Sequence, residues 1–315
     1  MNKINNFTST GSKLLYHPEV IQRIQKGLPT PVSLQVAPTS RCNLNCVFCS
    51  NANRKKHEDL TVSSIIDVAC QLKELGLKTV EITGGGDPTQ YAEIKPLINC
   101  FATMGLQIGM ITNGVQVREK IGQRHLDTLS WLRISMNCID YIKSTIDIPN
   151  INGTLGFSYV INQKTTLETL SRLDQHVKRF HPAYVRMVSD CNSTDAQQEE
   201  NNKKYSIIVR ELGAPYFYQP KVFGKPEKCR WGYFKPFILH DGWVYPCSSV
   251  VLNDASNKTF HERYRWVQMD KLYKMYTQNI TNNYFDSSNC NHCVFKDQND
   301  MVNEIINSSA MRNFI

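Results

Sequence analysis

From Ser33 onward, short apolar runs rich in β-branched residues alternate with helical stretches, and this rhythm constrains the fold more than anything else in the chain. Runs that read as strands span 33–36, 79–83, 107–112, 131–136, 156–161 and 184–188, with helical patterns at 62–75, 90–104, 118–126, 139–146, 166–179 and 196–212. In the first of those helices Ile65, Ile66, Ala69, Cys70 and Leu72 share one side, the spacing of an amphipathic helix. Strand–helix alternation of this kind builds a parallel sheet through right-handed crossovers. Six units predict an α/β fold, a partial barrel whose functional loops lie at the C-terminal ends of the strands.

Residues 1–30 read as a polar N-terminal extension with one short helix at 18–25, and 31–218 as the barrel. After Tyr218 the rhythm breaks. Apolar runs on either side of His240-Asp241-Gly242 predict a hairpin, and 219–315 is expected to be a small second domain. The chain is 41% hydrophobic, ample for a packed core, and no apolar run reaches the roughly 20 residues of a membrane span. No secretion signal is seen at the start, so the expected location is cytoplasmic. Cytosolic thiols stay reduced, which turns the 11 cysteines into candidates for metal binding or catalysis.

Cys42, Cys46 and Cys49 lie within eight residues directly after the first strand. Three thiolates on such a loop suit one metal centre. Zinc wants four ligands and would recruit another, His57 being the nearest. An iron–sulfur cluster on three cysteines keeps one iron open for a chelating small molecule.

The Cys-x3-Cys-x2-Cys spacing with Phe48 before the last cysteine resembles the signature of the radical S-adenosylmethionine (SAM) superfamily. Gly84-Gly85-Gly86-Asp87-Pro88 is similar to the family's Gly-Gly-Glu-Pro segment, with Asp87 where Glu is usual. Segments ending in Asn113-Gly114 and Ser135-Met136-Asn137 fall at the next two strand ends, as the family's SAM-lining segments do. Singly, a glycine triplet is a turn and an Asn-Gly a helix stop; at consecutive strand ends after the cysteines they point to one site. The resemblance covers about 33–190. It implies a [4Fe–4S] cluster on Cys42, Cys46 and Cys49, and SAM held by Phe48, Gly85, Gly86, Asp87, Asn113, Ser135, Asn162 and Arg186.

Four more cysteines, Cys229, Cys247, Cys290 and Cys293, can close a complete coordination sphere, and spacing alone leaves zinc and iron–sulfur open. Asp241-Gly-Trp-Val-Tyr-Pro-Cys247 resembles the hairpin of the SPASM and twitch extensions of radical SAM enzymes, which bind auxiliary [4Fe–4S] clusters. The resemblance therefore implies a partial (β/α)6 TIM-like barrel followed by a small α+β twitch-type iron–sulfur domain. A chain ending soon after Cys293 fits the one-cluster twitch form, with His292 as a spacer between ligands.

Of the remaining cysteines, Cys70 and Cys100 are expected in the core. Cys138 and Cys191 fall at the catalytic end of the barrel and are the candidate catalytic thiols. The formal charge of +8 drops to about +5 once both clusters are bound. Basic and aromatic residues interleave from Tyr216 to Phe237, including Lys221, Phe223, Trp231 and Tyr233, which raises nucleic acid as a partner. Arg54-Lys55-Lys56 reads as a solvated run. The resemblance implies reductive SAM cleavage to a 5′-deoxyadenosyl radical, with flavodoxin or ferredoxin as electron donor and a small molecule or nucleotide as substrate. The alternatives are radical modification of a nucleic-acid base, or a zinc-stabilised nucleic-acid-binding protein without catalysis; no membrane partner is expected.

Overall fold

The computed structural model describes residues 7–220, 224–249, 260–278, 284–288, 290 and 293–307. Its centre is one sheet in which seven strands run parallel and in chain order. They are β1 (Ser33–Val36), β2 (Thr79–Ile82), β3 (Gln107–Thr112), β4 (Leu129–Ser135), β5 (Thr154–Ile161), β6 (Tyr184–Ser189) and β7 (Tyr216–Tyr218). Beside β1 lies β8 (Phe237–Ile238), also parallel to it, followed antiparallel by β9 (Trp243–Tyr245) and β10 (Val267–Gln268). The sheet is the open α/β barrel the alternation predicts, extended by the hairpin at one edge. All six expected strands are present; β7 is a seventh, three residues long and too short to show a period.

Between the strands run α1 (Pro18–Gln25, preceding the barrel), α2 (Val62–Glu74), α3 (Ile94–Thr103), α4 (Val117–Lys120), α5 (Gln123–Leu126), α6 (Leu167–Phe180) and α7 (Asp195–Leu212), with α8 (Leu272–Gln278) and α9 (Lys296–Asn307) after the sheet. Capping fixes several starts. Thr61 accepts from the Ser64 amide, and Thr166 and Thr194 each form a capping box. Ile65, Ala69 and Leu72 of α2 are fully buried against β1 and β2, and truncating Ile65 to Ala would cost about 3 kcal/mol.

Three helical expectations change. The 90–104 pattern begins as a helix only at Ile94, after a 3-10 turn at Pro88–Gln90. The 118–126 pattern splits into α4 and α5, because Ile121 and Gly122 are extended. No helix forms over 139–146: a 3-10 turn ends at Asp140, and the guanidinium of Arg172 donates to the carbonyls of Ile139, Ile142 and Lys143. Those acceptors are satisfied without a helix. Cys70 and Cys100 are also corrected. Cys70 is exposed and Cys100 only half-buried, since Val68 and Ala69 turn α2 so that Cys70 faces water.

Two cores result. One joins α2, α3, α6 and α8 to the outer face of the sheet. The other gathers Leu14, Val20 and Ile24 from before the barrel with Trp231, Tyr233, Phe234, Phe237, Tyr245 and Val302 from after it. Of the aromatic rings that suggested a stacking surface, Trp231, Tyr233, Phe234 and Phe237 are therefore core residues, Tyr233 and Phe237 each 1% exposed. Lys221, Phe223 and His292 lie outside the described residues. No helix among the described residues is long and apolar enough to cross a membrane.

Candidate cluster and SAM site

The loop of Cys42, Cys46 and Cys49 leaves the C-terminal end of β1, and three side chains hold its shape. Asp59 accepts from Thr39 Oγ1 at 2.5 Å and from Arg41 Nε at 2.9 Å. Tyr141 accepts the Val47 amide at 2.8 Å. Arg54, expected to be solvated, donates to the Ser40 and Asn51 carbonyls and stands 3.7 Å from Cys49 Sγ. It is drawn in because those carbonyls have no helix or strand to satisfy them.

Burial, then the facing thiols of Cys49 and Cys42, push Cys46 up to about 12, and burial raises Cys42 as well. Such thiols stay protonated until a cation shares their space, as a ligand set requires. Among the described residues no three metal-ligating side chains stand close enough to share a single ion. A four-iron cluster takes one thiolate per iron and spreads them wider. N–H donors also face the sulfurs: Leu44 N lies 3.5 Å and Asn113 Nδ2 4.0 Å from Cys42 Sγ. The donor chemistry fits thiolate ligation.

Against this loop packs the glycine segment after β2. Gly86 N donates to Thr39 O at 2.8 Å and Asp87 N to Arg41 O at 2.7 Å. A Cβ on Gly86 would stand 1.9 Å from the Arg41 oxygen, so only glycine admits this approach. The Asp87 carboxylate is 3% exposed and accepts from Thr89 N and Oγ1, from Thr112 Oγ1 and, at 2.7 Å, from Asn113 N. Burial raises its pKa, and the hydrogen bonds from Asn113, Thr89 and Thr112 pull it back in part. Asp87 thus ties the β2 and β3 loops together, and Asn113 continues the chain of contacts to Asn43 at 2.6 Å.

Phe48 is half-buried on the cluster loop, and Ser135 ends β4. Asn162 directs its amide inward, donating to Asp140 and Val160 and accepting from Lys164 N. Asp140 also takes Asn137 and Tyr159, so it organises the ends of β4 and β5. Arg186 lies deeper on β6, donating Nε to Gln219. Cys138 is buried at the end of β4, and burial raises its thiol strongly; Cys191 is partly exposed after β6, its sulfur 3.8 Å from Asn192 Oδ1.

Of the other four cysteines, Cys229, Cys247 and Cys290 are buried in the second core, and Cys293 lies half-buried within electrostatic reach of Cys229 and Cys290. Burial raises Cys229 well above the ordinary thiol value, and Cys247, Cys293 and Cys290 all add to the shift. Cys293 is pushed up to about 11, by burial first and Cys290 next. A backbone bridge from Phe285 N to Cys229 O, and Cys290 N on Ser287 O, draw the two ends of this set together.

Sequence reasoning missed His240, Tyr141 and Asp140 as site residues. His240 reaches from the β8–β9 turn to the glycine segment, where a Cβ on Gly85 would stand 2.3 Å from its ring. No local pattern signals the three, because most of their partners are distant in the chain. A small cavity lined by Ser33, Thr79, Gln107, Ser130 and Trp131 opens at the strand ends opposite the cysteines, away from this site.

Residues 36–186 match the family model of the radical SAM superfamily. A probable GTP 3′,8-cyclase of Sulfolobus acidocaldarius is 29% identical over 280 residues, covering 74% of this chain and 89% of that one. Molybdenum cofactor biosynthesis protein 1 of Dictyostelium discoideum is 25% identical over 180 residues, which cover 55% of this chain; the match spans only 27% of that longer protein. Among solved structures, SuiB of Streptococcus suis bound to the precursor peptide SuiA superposes with a TM-score of 0.56 at 14% identity, over 87% of this chain and 71% of that one. Residues 36–186 of the chain therefore carry a radical SAM superfamily domain. A domain of that family implies SAM and a [4Fe–4S] cluster, with a reductant and a substrate.

Proposed function

We propose that this chain abstracts a hydrogen atom from a small-molecule or nucleotide substrate and oxidises or rearranges it. The observation that carries this reading is the contact of the Cys42/Cys46/Cys49 loop with the Gly86–Asp87 segment and Asn113 at adjoining strand ends. When bound and reduced by a flavodoxin- or ferredoxin-type donor, the cluster and SAM supply a 5′-deoxyadenosyl radical that takes the hydrogen atom. Cys42, Cys46 and Cys49 would hold that cluster, leaving one iron for SAM. Phe48, Gly85, Gly86, Asn113 and Ser135 would line the SAM pocket, while Asp87 and Asn162 fix the loops that carry it. The protein's share is to place the substrate and exclude water.

Cys229, Cys247, Cys290 and Cys293 would hold an auxiliary [4Fe–4S] cluster of the twitch type with every iron ligated, suited to accepting an electron from the substrate. Residues 31–218 would then be the catalytic barrel and 219–315 the auxiliary domain, hydrogen-bonded to it through β8 and β1. Anaerobic reconstitution should give about eight irons per chain. Replacing Cys42, Cys46 and Cys49 together with Ala should leave about four irons and no 5′-deoxyadenosine formation. Full 5′-deoxyadenosine formation by that variant would overturn the assignment.

A further inference from the structure

The two faces of the parallel sheet differ in chemistry. On β2, β4 and β6 the residues Val80, Ile82, Leu132, Ile134, Val185 and Met187 join the helix-side core. Strand alternation turns Glu81, Arg133 and Arg186 the other way, into the lumen. Alternate strands of a barrel feed one layer of side chains, and such layers are ordinarily branched and apolar. Here the layer is charged. Lys235, entering just before β8, places its ammonium 2.8 Å from Glu81 Oε2, and Gln35 donates to Oε1 at 2.8 Å.

Glu81 is therefore already engaged on both oxygens. Burial alone would raise its pKa, but Lys235, Arg133 and Arg186 outweigh that and hold it low. The four charges do not balance: three cations face one carboxylate. No carboxylate lies within 4.0 Å of either lumen guanidinium among the described residues. Arg133 Nε is buried without a hydrogen-bond partner there, and Arg186 Nε meets only the neutral amide of Gln219. Burial and then the facing Arg133 push Arg186 down to about 9, the mark of two like charges sharing one space.

We infer that Arg133 and Arg186 form an anion subsite in the lumen, which takes a carboxylate or phosphate group of the substrate. The inference rests on the radical SAM reading above and adds a substrate class, an acidic small molecule. Position supports it. Arg133 lies two residues before Ser135 on β4, and the strand register runs from Ser135 through Ser158 to Arg186. An anion held there sits one layer below the strand ends, so the rest of the molecule faces the loops of Gly85, Asn113 and Ser135. Both arginines are partly accessible, as an entering ligand requires. Their planar forks match two-oxygen anions; a neutral substrate would leave both charges unbalanced.

The test titrates the cluster-loaded, SAM-bound protein with inorganic phosphate and, separately, with succinate, by calorimetry. Saturable binding of at least one probe is expected, weakened about tenfold or more in Arg133→Gln and in Arg186→Gln. The SAM-induced change in the first cluster's EPR signal should persist in both variants. Equal binding by the variants, or no saturable binding of either probe by wild type, overturns the subsite. Loss of the SAM-induced change in both variants overturns it too, because the arginines would then serve SAM. Should a Gln variant lose its native circular dichroism, Arg133→Lys and Arg186→Lys carry the test. Each keeps the charge without the fork and should bind several-fold more weakly; binding equal to wild type overturns the proposal. Wild type that binds phosphate yet never cleaves SAM would defeat the proposed function alone, so the two readings fail separately.

Discussion

His240 and Glu58, 182 residues apart in the chain, meet at 3.2 Å: the imidazole Nδ1–H donates to the carboxylate. The bond ties the β8–β9 turn to the segment that anchors the cluster loop, and it fixes the proton on Nδ1. Nε2 is then a buried acceptor without a partner among the described residues. Burial lowers the His240 pKa and Arg54 adds to the effect, against the raising pull of Asp241 and Glu58. A lowered pKa means the unfolded chain takes up the proton first as pH falls. The stability due to neutral His240 is therefore full above about pH 6.5 and is lost below it. Anaerobic melts of the loaded protein between about pH 7.5 and pH 5.5 should show a shallower acid-side decline for His240→Gln than for wild type. An unchanged slope would mean that His240 titrates alike in both states.

Asp87 has a structural job that its place in the glycine motif does not advertise. Removing its carboxylate leaves the amides of Thr89 and Asn113 and the hydroxyl of Thr112 without their acceptor. Asp87→Ala should destabilise the fold by about 3 kcal/mol and weaken SAM binding through a displaced Asn113. Asp87→Asn retains shape and one acceptor oxygen, so it should fall between. SAM affinity by calorimetry, beside a urea melt, separates the two effects. Asp87→Ala with wild-type stability would show that the loops hold without it.

The parallel strands were legible because each is a short run rich in apolar and β-branched residues set between helical patterns, as Leu34 and Val36 or Ile108, Met110 and Ile111 show. The cysteine loop was legible because its ligands are local. What stayed hidden depends on partners far along the chain. A helix over 139–146 is undone by Arg172. Phe237–Ile238 is too short to announce that it pairs with β1. Arg133 reads as part of the strand-end segment around Ser135, and only the fold brings Glu81 and Arg186 near it. Cys70 shows the limit of spacing: it sits one residue past the buried Ala69, and that rotation is enough to expose it.

The second cysteine set yields the sharpest prediction, because its two possible roles differ in outcome. Burial raises the thiols of Cys229, Cys290 and Cys293, and neighbouring thiols add to the shift at Cys229 and Cys293, a poor resting state for a core; loading a cluster would remove their protons and cross-link the ends of that core. An auxiliary cluster with all irons ligated would have electron transfer or support left to it. As acceptor, it would take one electron from the substrate radical while a proton leaves, completing a two-electron oxidation. Cys290→Ala/Cys293→Ala should then lower the iron count from about eight to about four and retain SAM cleavage and deuterium transfer into 5′-deoxyadenosine. The oxidised product should not form. Circular dichroism and the EPR signal of the first cluster must match wild type before the result is read, since cluster loss can unfold the residues around it. A folded double variant that makes product at the wild-type rate rules out the acceptor role and makes the reaction a redox-neutral rearrangement.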